Sequence, residues 1–458
     1  MDKRFARIFA VLLTLLLAGC ATSQVSGSAR SSQALDPSFA AARTLAANDA
    51  QLSGRARSDN AREIERLLST LDDATLSRDA AALPAGDPLY NFAGRTLLAR
   101  GLPLPRPFER TAQWRFDQGR PAADGDGYRP PRKIAVLLPL SGDLATAAAP
   151  VRDGLLAGYY GERRRRPDIE FLDTAGTSGG ALAAYDRAIA AGADLVVGPL
   201  GRDEVDAIYR RSDLAVPVLA LNRGSDLPPA GTAAFSLAPE DDGIAAAEYL
   251  FARERRHALV ISGNDDNGRR AAQAFGTRFA QRGGKVAQVL SVGDAPGDLT
   301  AALQNAAQAG VDAVFLAVKG STARALGPQL ALAGLAGRTR VATSQLLSGT
   351  GKADEDAALD GIVFPTEVWT SRGLAGLPSA GMAGEQLATA RGPAARLFAF
   401  GYDAWRLSAY LEKLALDANA RLPGATGALQ LDGFGNVLRT PAWSVFSGGR
   451  AVPVAGGG

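Results

Sequence analysis

Histidine and cysteine, the side chains most often used in acid-base and nucleophilic chemistry near neutral pH, are nearly absent. In 458 residues there is one histidine, His257, and one cysteine, Cys20; a zinc site of cysteine and histidine ligands cannot be built from that supply, and any hydrolytic triad would have to rest on His257. His257 stands at the head of a predicted apolar strand behind Arg253, Glu254, Arg255 and Arg256, and reads as a strand-edge side chain. Two acidic pairs, Asp241-Asp242 and Asp265-Asp266, have the residue types of a general acid and base. Both precede predicted helices, where aspartate caps exposed N–H groups and suits the positive pole of the helix. Asp265, Asp266 and Asn267 lack the full spacing of a calcium loop. Gly349-Thr350-Gly351-Lys352 lacks the earlier glycine and the hydroxyl after the lysine that a phosphate-binding loop requires. The sequence thus predicts no catalytic residue, no metal site and no cofactor. The strongest charge run, Arg163 to Arg166, follows Tyr159 and Tyr160 at a predicted helix end, where cations favour the negative pole; the other reading is a patch for an acidic partner.

The elements that would position any site come next. With 47% hydrophobic and 21% charged residues and a net charge of +3, the chain has the composition of globular protein with ample core, and its interleaved charges predict no nucleic-acid partner. Residues 134–138 form an unbroken apolar run, the pattern of a strand covered on both faces. Ser141 and Gly142 then fall at the carboxyl end of that strand, where open parallel sheets place ligand crevices. Strands at 169–174, 194–199 and 216–221 alternate with alanine-rich helices. A second set follows residues 233–238, with strands at 257–262, 285–292, 313–318 and 340–343. A crossing strand at 361–369, a long helix at 393–416 and a hairpin at 427–446 complete the pattern, so the fold class is α/β with two parallel-sheet, Rossmann-like lobes. If the lobes enclose a ligand, Ser141, Gly142, Pro199, Gly201, Asn222 and Arg223 line one wall, and Asn264, Asp265 and Lys319 occupy equivalent strand ends in the other.

Ahead of the lobes, residues 1–20 read as a lipoprotein signal peptide. Lys3, Arg4 and Arg7 precede a short apolar core, and Leu17-Ala18-Gly19 leads into Cys20. That spacing resembles a bacterial lipobox, with Cys20 as the lipidated residue; several acyl chains hold a protein on a membrane far better than one. Ala21 after the cysteine points to the outer membrane. Residues 21–35 read as a flexible tether, 36–118 as a short α-helical region, 119–132 as a linker and 450–458 as a tail. The lobes fill 133–449, the first at about 133–238 with part of 361–420, the second at about 239–360 with the C-terminal segment.

Four stretches carry a resemblance: LLPLSGDLATAAAPVRDGLLAGYY from Leu137, DLVVGPL from Asp194, FAFGYDAWRL from Phe398 and GALQLDGFGNVLRTPAWSVFSGG from Gly427. Together they resemble the LppC family of outer-membrane lipoproteins, the penicillin-binding protein activators. The resemblance implies a bilobed type I periplasmic-binding-protein fold. It also implies a non-enzymatic, lipid-anchored protein facing the periplasm that binds and stimulates a class A penicillin-binding protein, a peptidoglycan synthase, with peptidoglycan itself as a further partner. The alternative is a solute-binding receptor lipoprotein that takes an amino acid or muropeptide-like ligand in the interlobe cleft. The helical segment is much shorter than in the long members of the family.

Overall fold

Ile134, Ala135, Val136, Leu137 and Leu138 have no polar side chain to turn toward water, and all five are buried in β1, Lys133–Leu138. The computed structural model describes residues 35–454 apart from 53, 110–113, 115, 212–213 and 418. Among the described residues four α-helices come first: α1 (Pro37–Asn48), α2 (Gly54–Ser69), α3 (Asp73–Ala82) and α4 (Tyr90–Ala99). After β1 the first lobe continues through α5 (Ala145–Gly161), β2 (Asp168–Asp173), α6 (Ser178–Ala190), β3 (Leu195–Val197), α7 (Arg202–Tyr209), β4 (Val218–Ala220) and β5 (Ala233–Ala234). Its sheet is parallel throughout, in the order β2-β1-β3-β4-β5.

The second lobe begins with α8 (Pro239–Phe251) and runs through β6 (His257–Gly263), α9 (Asp266–Gln281), β7 (Lys285–Val292), α10 (Thr300–Gln308), β8 (Ala313–Ala317), α11 (Gly320–Leu332), β9 (Thr339–Ala342), α12 (Ala353–Asp356) and β10 (Ile362–Thr366). The chain then returns to the first lobe as α13 (Val368–Arg372), α14 (Ala380–Gln386) and the 23-residue α15 (Ala394–Leu416). It closes with β11 (Leu422–Pro423), β12 (Ala428–Leu431), β13 (Val437–Thr440), β14 (Ala442–Ser447) and β15 (Arg450–Pro453).

Three expectations about the C-terminal strands need correction. The second sheet is mixed: β7, β6, β8, β9 and β10 are parallel neighbours, but β14 and β15 add antiparallel strands beyond β10. The terminal hairpin is shorter than 427–446, because β12 and β13 pair only from Ala428 to Thr440. Pro441 follows with no N–H to continue the ladder, and β14 departs to the other sheet. Residues 450–453 are an edge strand rather than tail: Gly448 and Gly449, at φ +57° and +69°, make the two-residue turn that only left-handed backbone allows.

Residues 119–132 also differ from a free linker. They form a strap on α15. The Arg129 amide donates to the Ala409 carbonyl at 2.9 Å, and Arg120 and Arg129 donate to opposite oxygens of Glu412 at 2.5 and 2.6 Å. Tyr410 donates to Asp126 at 2.6 Å. Burial pushes the Asp126 carboxyl up, but the Tyr410 hydroxyl, the Tyr128 amide and the Arg164 guanidinium outweigh it and hold the group at about 2.

Helix α15 meets α5 backbone to backbone. A Cβ on Gly154 would stand 1.9 Å from the Phe398 carbonyl oxygen, and one on Gly401 would stand 1.9 Å from that of Val151. One turn on, Gly158 makes room for the indole of Trp405, which packs edge-on to Tyr159 with centroids 5.4 Å apart. Midway along α15, the buried Asp403 carboxylate accepts from the amides of Ala425 and Thr426 and from the Thr426 hydroxyl, at 2.6, 2.8 and 2.6 Å. It thereby shapes the turn into β12. Burial pushes this carboxyl up to about 6 against the pull of those donors.

Two outcomes test this packing. Gly401→Val should lower unfolding stability in urea by about 3 kcal/mol, since the Val151 backbone stands where the side chain would go. By contrast, Gly276→Ala, in α9 with open space around the added methyl, should raise it by about 0.5 kcal/mol. The folded state holds the Asp403 proton more tightly than the unfolded chain, so this group contributes more stability as pH falls through 6 toward 4. Measured against Asp403→Asn, the wild type should gain about 1 kcal/mol between pH 7 and pH 5.

Candidate functional site

The nine residues expected to line the crevice do sit in loops after strands, and each has a local task. After β1, the Ser141 hydroxyl donates to Asp173 at 2.6 Å. That bond, with the Ala175, Leu140 and Ser141 amides, holds the Asp173 carboxyl below the usual range. Gly142 turns the chain at φ +77°. Pro199 follows β3 through a cis peptide bond, and the Gly201 amide donates to Glu204 at 2.6 Å at the start of α7. Asn222 donates to the Leu200 carbonyl at 2.8 Å. Arg223 forms a bidentate pair with Asp241 at 2.8 and 2.9 Å. In the second lobe the Asn264 carbonyl accepts from Arg269, Asp265 caps α9 by accepting from the Gly268 amide at 2.9 Å, and Lys319 pairs with Asp294. Among the described residues, no hydrogen bond or ion pair joins a first-lobe member of this set to a second-lobe member. Cys20 lies outside the described residues.

What joins the lobes is a different set. The chain crosses between sheets after β5, after β10 and after β13, and charged side chains gather at those crossings. Helix α8 begins at Pro239 rather than at Asp241, with proline at its first position. Asp241 and Asp242 therefore lie within the first turn and do not cap it. Asp241 reaches the first lobe through Arg223. Asp242 turns inward, accepting from the Ser344 hydroxyl and, at 3.0 Å, from its amide.

The other oxygens and guanidiniums complete a buried latch. Arg396, in the first turn of α15, lies 3.5 Å from Asp242 and 3.3 Å from Glu367, the residue after β10. Arg439, on β13, lies 3.7 Å from Asp242 and donates to the Thr426 carbonyl at 3.3 Å. Asp242, Glu367 and the Arg439 side chain are all at least 95% buried, and burial holds the Arg439 guanidinium below its usual range. Two cations from elements packed on the first lobe thus face two anions at the head of the second. Charges this deep are tolerated only in opposition, because removing one leaves its partner desolvated and unpaired. Sequence reasoning missed Glu367, Arg396 and Arg439; the one signal was a lone charge in each of three apolar stretches.

The short helical region braces the same junction. Toward the second lobe, Arg282 of α9 pairs with Asp73 at 2.9 Å and Arg278 donates to the Ser69 hydroxyl at 3.1 Å, while Glu248 of α8 lies 3.5 and 3.7 Å from these two arginines. Arg100 closes the carboxyl end of α2 by donating to the Leu68, Ser69 and Leu71 carbonyls; burial lowers its pKa to about 10. Toward the first lobe and its hairpin, Phe92 packs on Phe434 with centroids 4.4 Å apart, Arg95 lies 3.4 Å from Asp432, and Ser58 donates to Asp226 at 2.9 Å. One helical unit grips both lobes.

Two α/β lobes joined by three crossings, with the carboxyl ends of their strands turned to the junction, define a protein of the type I periplasmic-binding-protein class. Its sequence is more specific. The chain belongs to the LppC putative lipoprotein family, which it matches over residues 128–449. It is 27% identical over 363 residues to the penicillin-binding protein activator LpoA of Photobacterium profundum, covering 70% of this chain and 57% of that relative. The chain thus spans little more than half the length of the curated relatives it matches. Among solved structures it is similar to the LpoA (YraM) C-domain from Haemophilus influenzae, a regulator of PBP1A, at 24% identity and a TM-score of 0.59, over 70% of this chain and all of that one. Full-length LpoA from the same organism aligns with 91% of this chain and 78% of its own length, at 22% identity and a TM-score of 0.62.

The latch is open to a double-mutant cycle. Asp242→Asn should cost about 3 kcal/mol of unfolding stability by stranding Arg439 and Arg396. Adding Arg439→Met should recover some of that loss, giving a coupling of about 1 kcal/mol or more in urea titrations.

Proposed function

We propose that this chain is an outer-membrane lipoprotein, held through acylated Cys20 and facing the periplasm, that binds a class A penicillin-binding protein and activates it in peptidoglycan synthesis. The observation that carries the reading is the family match over 128–449, the region shared with relatives named as penicillin-binding protein activators. The junction supports it from a separate direction. A solute receptor of this class works by swinging its lobes about the crossings, whereas here the crossings hold a buried ionic latch and a helical unit grips both lobes. Such a body suits rigid contact with another protein.

On this reading the chain itself makes and breaks no bonds. Activation then requires only that it bind the synthase's active conformation more tightly than the inactive one, which shifts the enzyme's population. Peptidoglycan, through which a protein on the outer membrane must reach, is the second partner. Which of the synthase's two activities responds is a matter for assay.

The test is polymerisation of lipid-linked precursor by the class A synthase from the same organism, with and without the purified mature chain. A several-fold faster rate is expected, with no turnover by the chain alone. An unchanged rate, together with a rise in melting temperature on adding millimolar amino acids or muropeptides, overturns the activator reading in favour of a solute receptor.

A further inference from the structure

The first lobe carries a surface with the composition of a protein contact. Where α5 ends, a cavity of about 210 Å³ opens against α15, lined by Tyr128, Arg164, Tyr402, Trp405, Arg406 and Tyr410 among others. Its floor is set in advance of any partner. The Arg164 guanidinium lies over the Tyr128 ring, 3.7 Å from its centroid, and is held there by bonds to Glu162 at 2.9 Å, Asp126 at 3.0 Å and the Tyr410 hydroxyl at 3.2 Å. Trp405 and Tyr410 are themselves buried against the core. Tyrosine, tryptophan and arginine are the residues that dominate protein interfaces, and the two aromatics give large contact area at small entropic cost.

The surroundings of the cavity are cationic and under-paired. Arg163 and Arg165 are exposed, and among the described residues neither has a carboxylate within ion-pair distance. Arg406 is likewise without a carboxylate there; it donates to the Pro423 carbonyl. Arg166 stacks on Tyr159, and Tyr160 stands 71% exposed beside it. The run is therefore divided: Arg164 builds the floor, while Arg163 and Arg165 are left facing solvent. Arg166 reaches a final carbonyl of α5, donating to that of Tyr159 at 3.3 Å, whereas among the described residues Arg163 and Arg165 make no such bond.

We propose that this surface is the dock for the synthase, through an acidic segment that lays carboxylates on Arg163, Arg165 and Arg406 and seats one side chain in the aromatic cavity. The proposal rests on the activator reading above and adds to it a place and a charge. Three separate guanidiniums match a run of carboxylates, and complementary charge of this kind speeds association and makes it sensitive to salt.

The experiment uses the full mature chain with the purified synthase. Arg163→Glu with Arg165→Glu should leave the melting temperature unchanged, weaken binding by about tenfold and flatten its dependence on salt. Arg202→Glu with Arg338→Glu, an equal change of charge on exposed residues elsewhere, should do none of this. Tyr160→Ala should weaken binding several-fold. If the first double variant binds and stimulates as the wild type does, the dock lies elsewhere and the activator reading stands. If that variant loses binding to purified sacculi but keeps the synthase, the surface is a peptidoglycan site and the proposal falls. A wild-type chain that neither binds nor stimulates the synthase removes the activator reading, and the dock with it.

Discussion

The structure hangs on the contact of α15 with α5, in which Gly154 and Gly401 let two helix backbones touch. Everything else in the first lobe and at the junction takes its position from that spine. Arg396 in its first turn supplies a cation to the latch, Asp403 shapes the entry to the antiparallel sheet, Trp405 walls the aromatic cavity, and Glu412 anchors the strap. Any substitution that pushed the helices apart would move all four at once, because one continuous helix carries them. A glycine contact is well suited to this role, since it has no rotamer through which to relax.

The latch and the helical brace give a receptor-like fold a different mechanical character. Lobes that must open and close need crossings that bend without breaking strong contacts. Here opening would pull a pair of guanidiniums away from carboxylates that have already lost their water, in surroundings where each charge is costly alone. It would also shear α2 to α4 from one lobe or the other. These contacts favour a single arrangement of the lobes, and a surface held in one arrangement needs less ordering when it meets a second folded protein.

The motifs that carry the family resemblance turn out to be structural rather than chemical. In FAFGYDAWRL the glycine is the close approach to α5, the aspartate holds the turn at Ala425 and Thr426, and the tryptophan fills the space left by Gly158. In the C-terminal motif, Asp432 accepts from the Phe434 and Asn436 amides to form the hairpin tip against which Phe92 packs. A resemblance of this kind marks first how the body is assembled, and the FAFGYDAWRL stretch also supplies Tyr402, Trp405 and Arg406 to the wall of the aromatic cavity.

The sequence by itself determined the alternation of strands and helices, the apolar runs that became two sheets, and the poverty of catalytic side chains, because strand and helix periods and residue supply are local properties. It placed Ser141, Asn222 and Lys319 at strand ends for the same reason. Only the tertiary structure decided that residues 119–132 are a strap, that β14 and β15 run antiparallel in the second sheet, and that Asp242 faces Arg439 from a distant stretch of the chain. Those outcomes depend on which charges are buried together, and burial is a property of the assembled lobes. No single stretch of the sequence contains it.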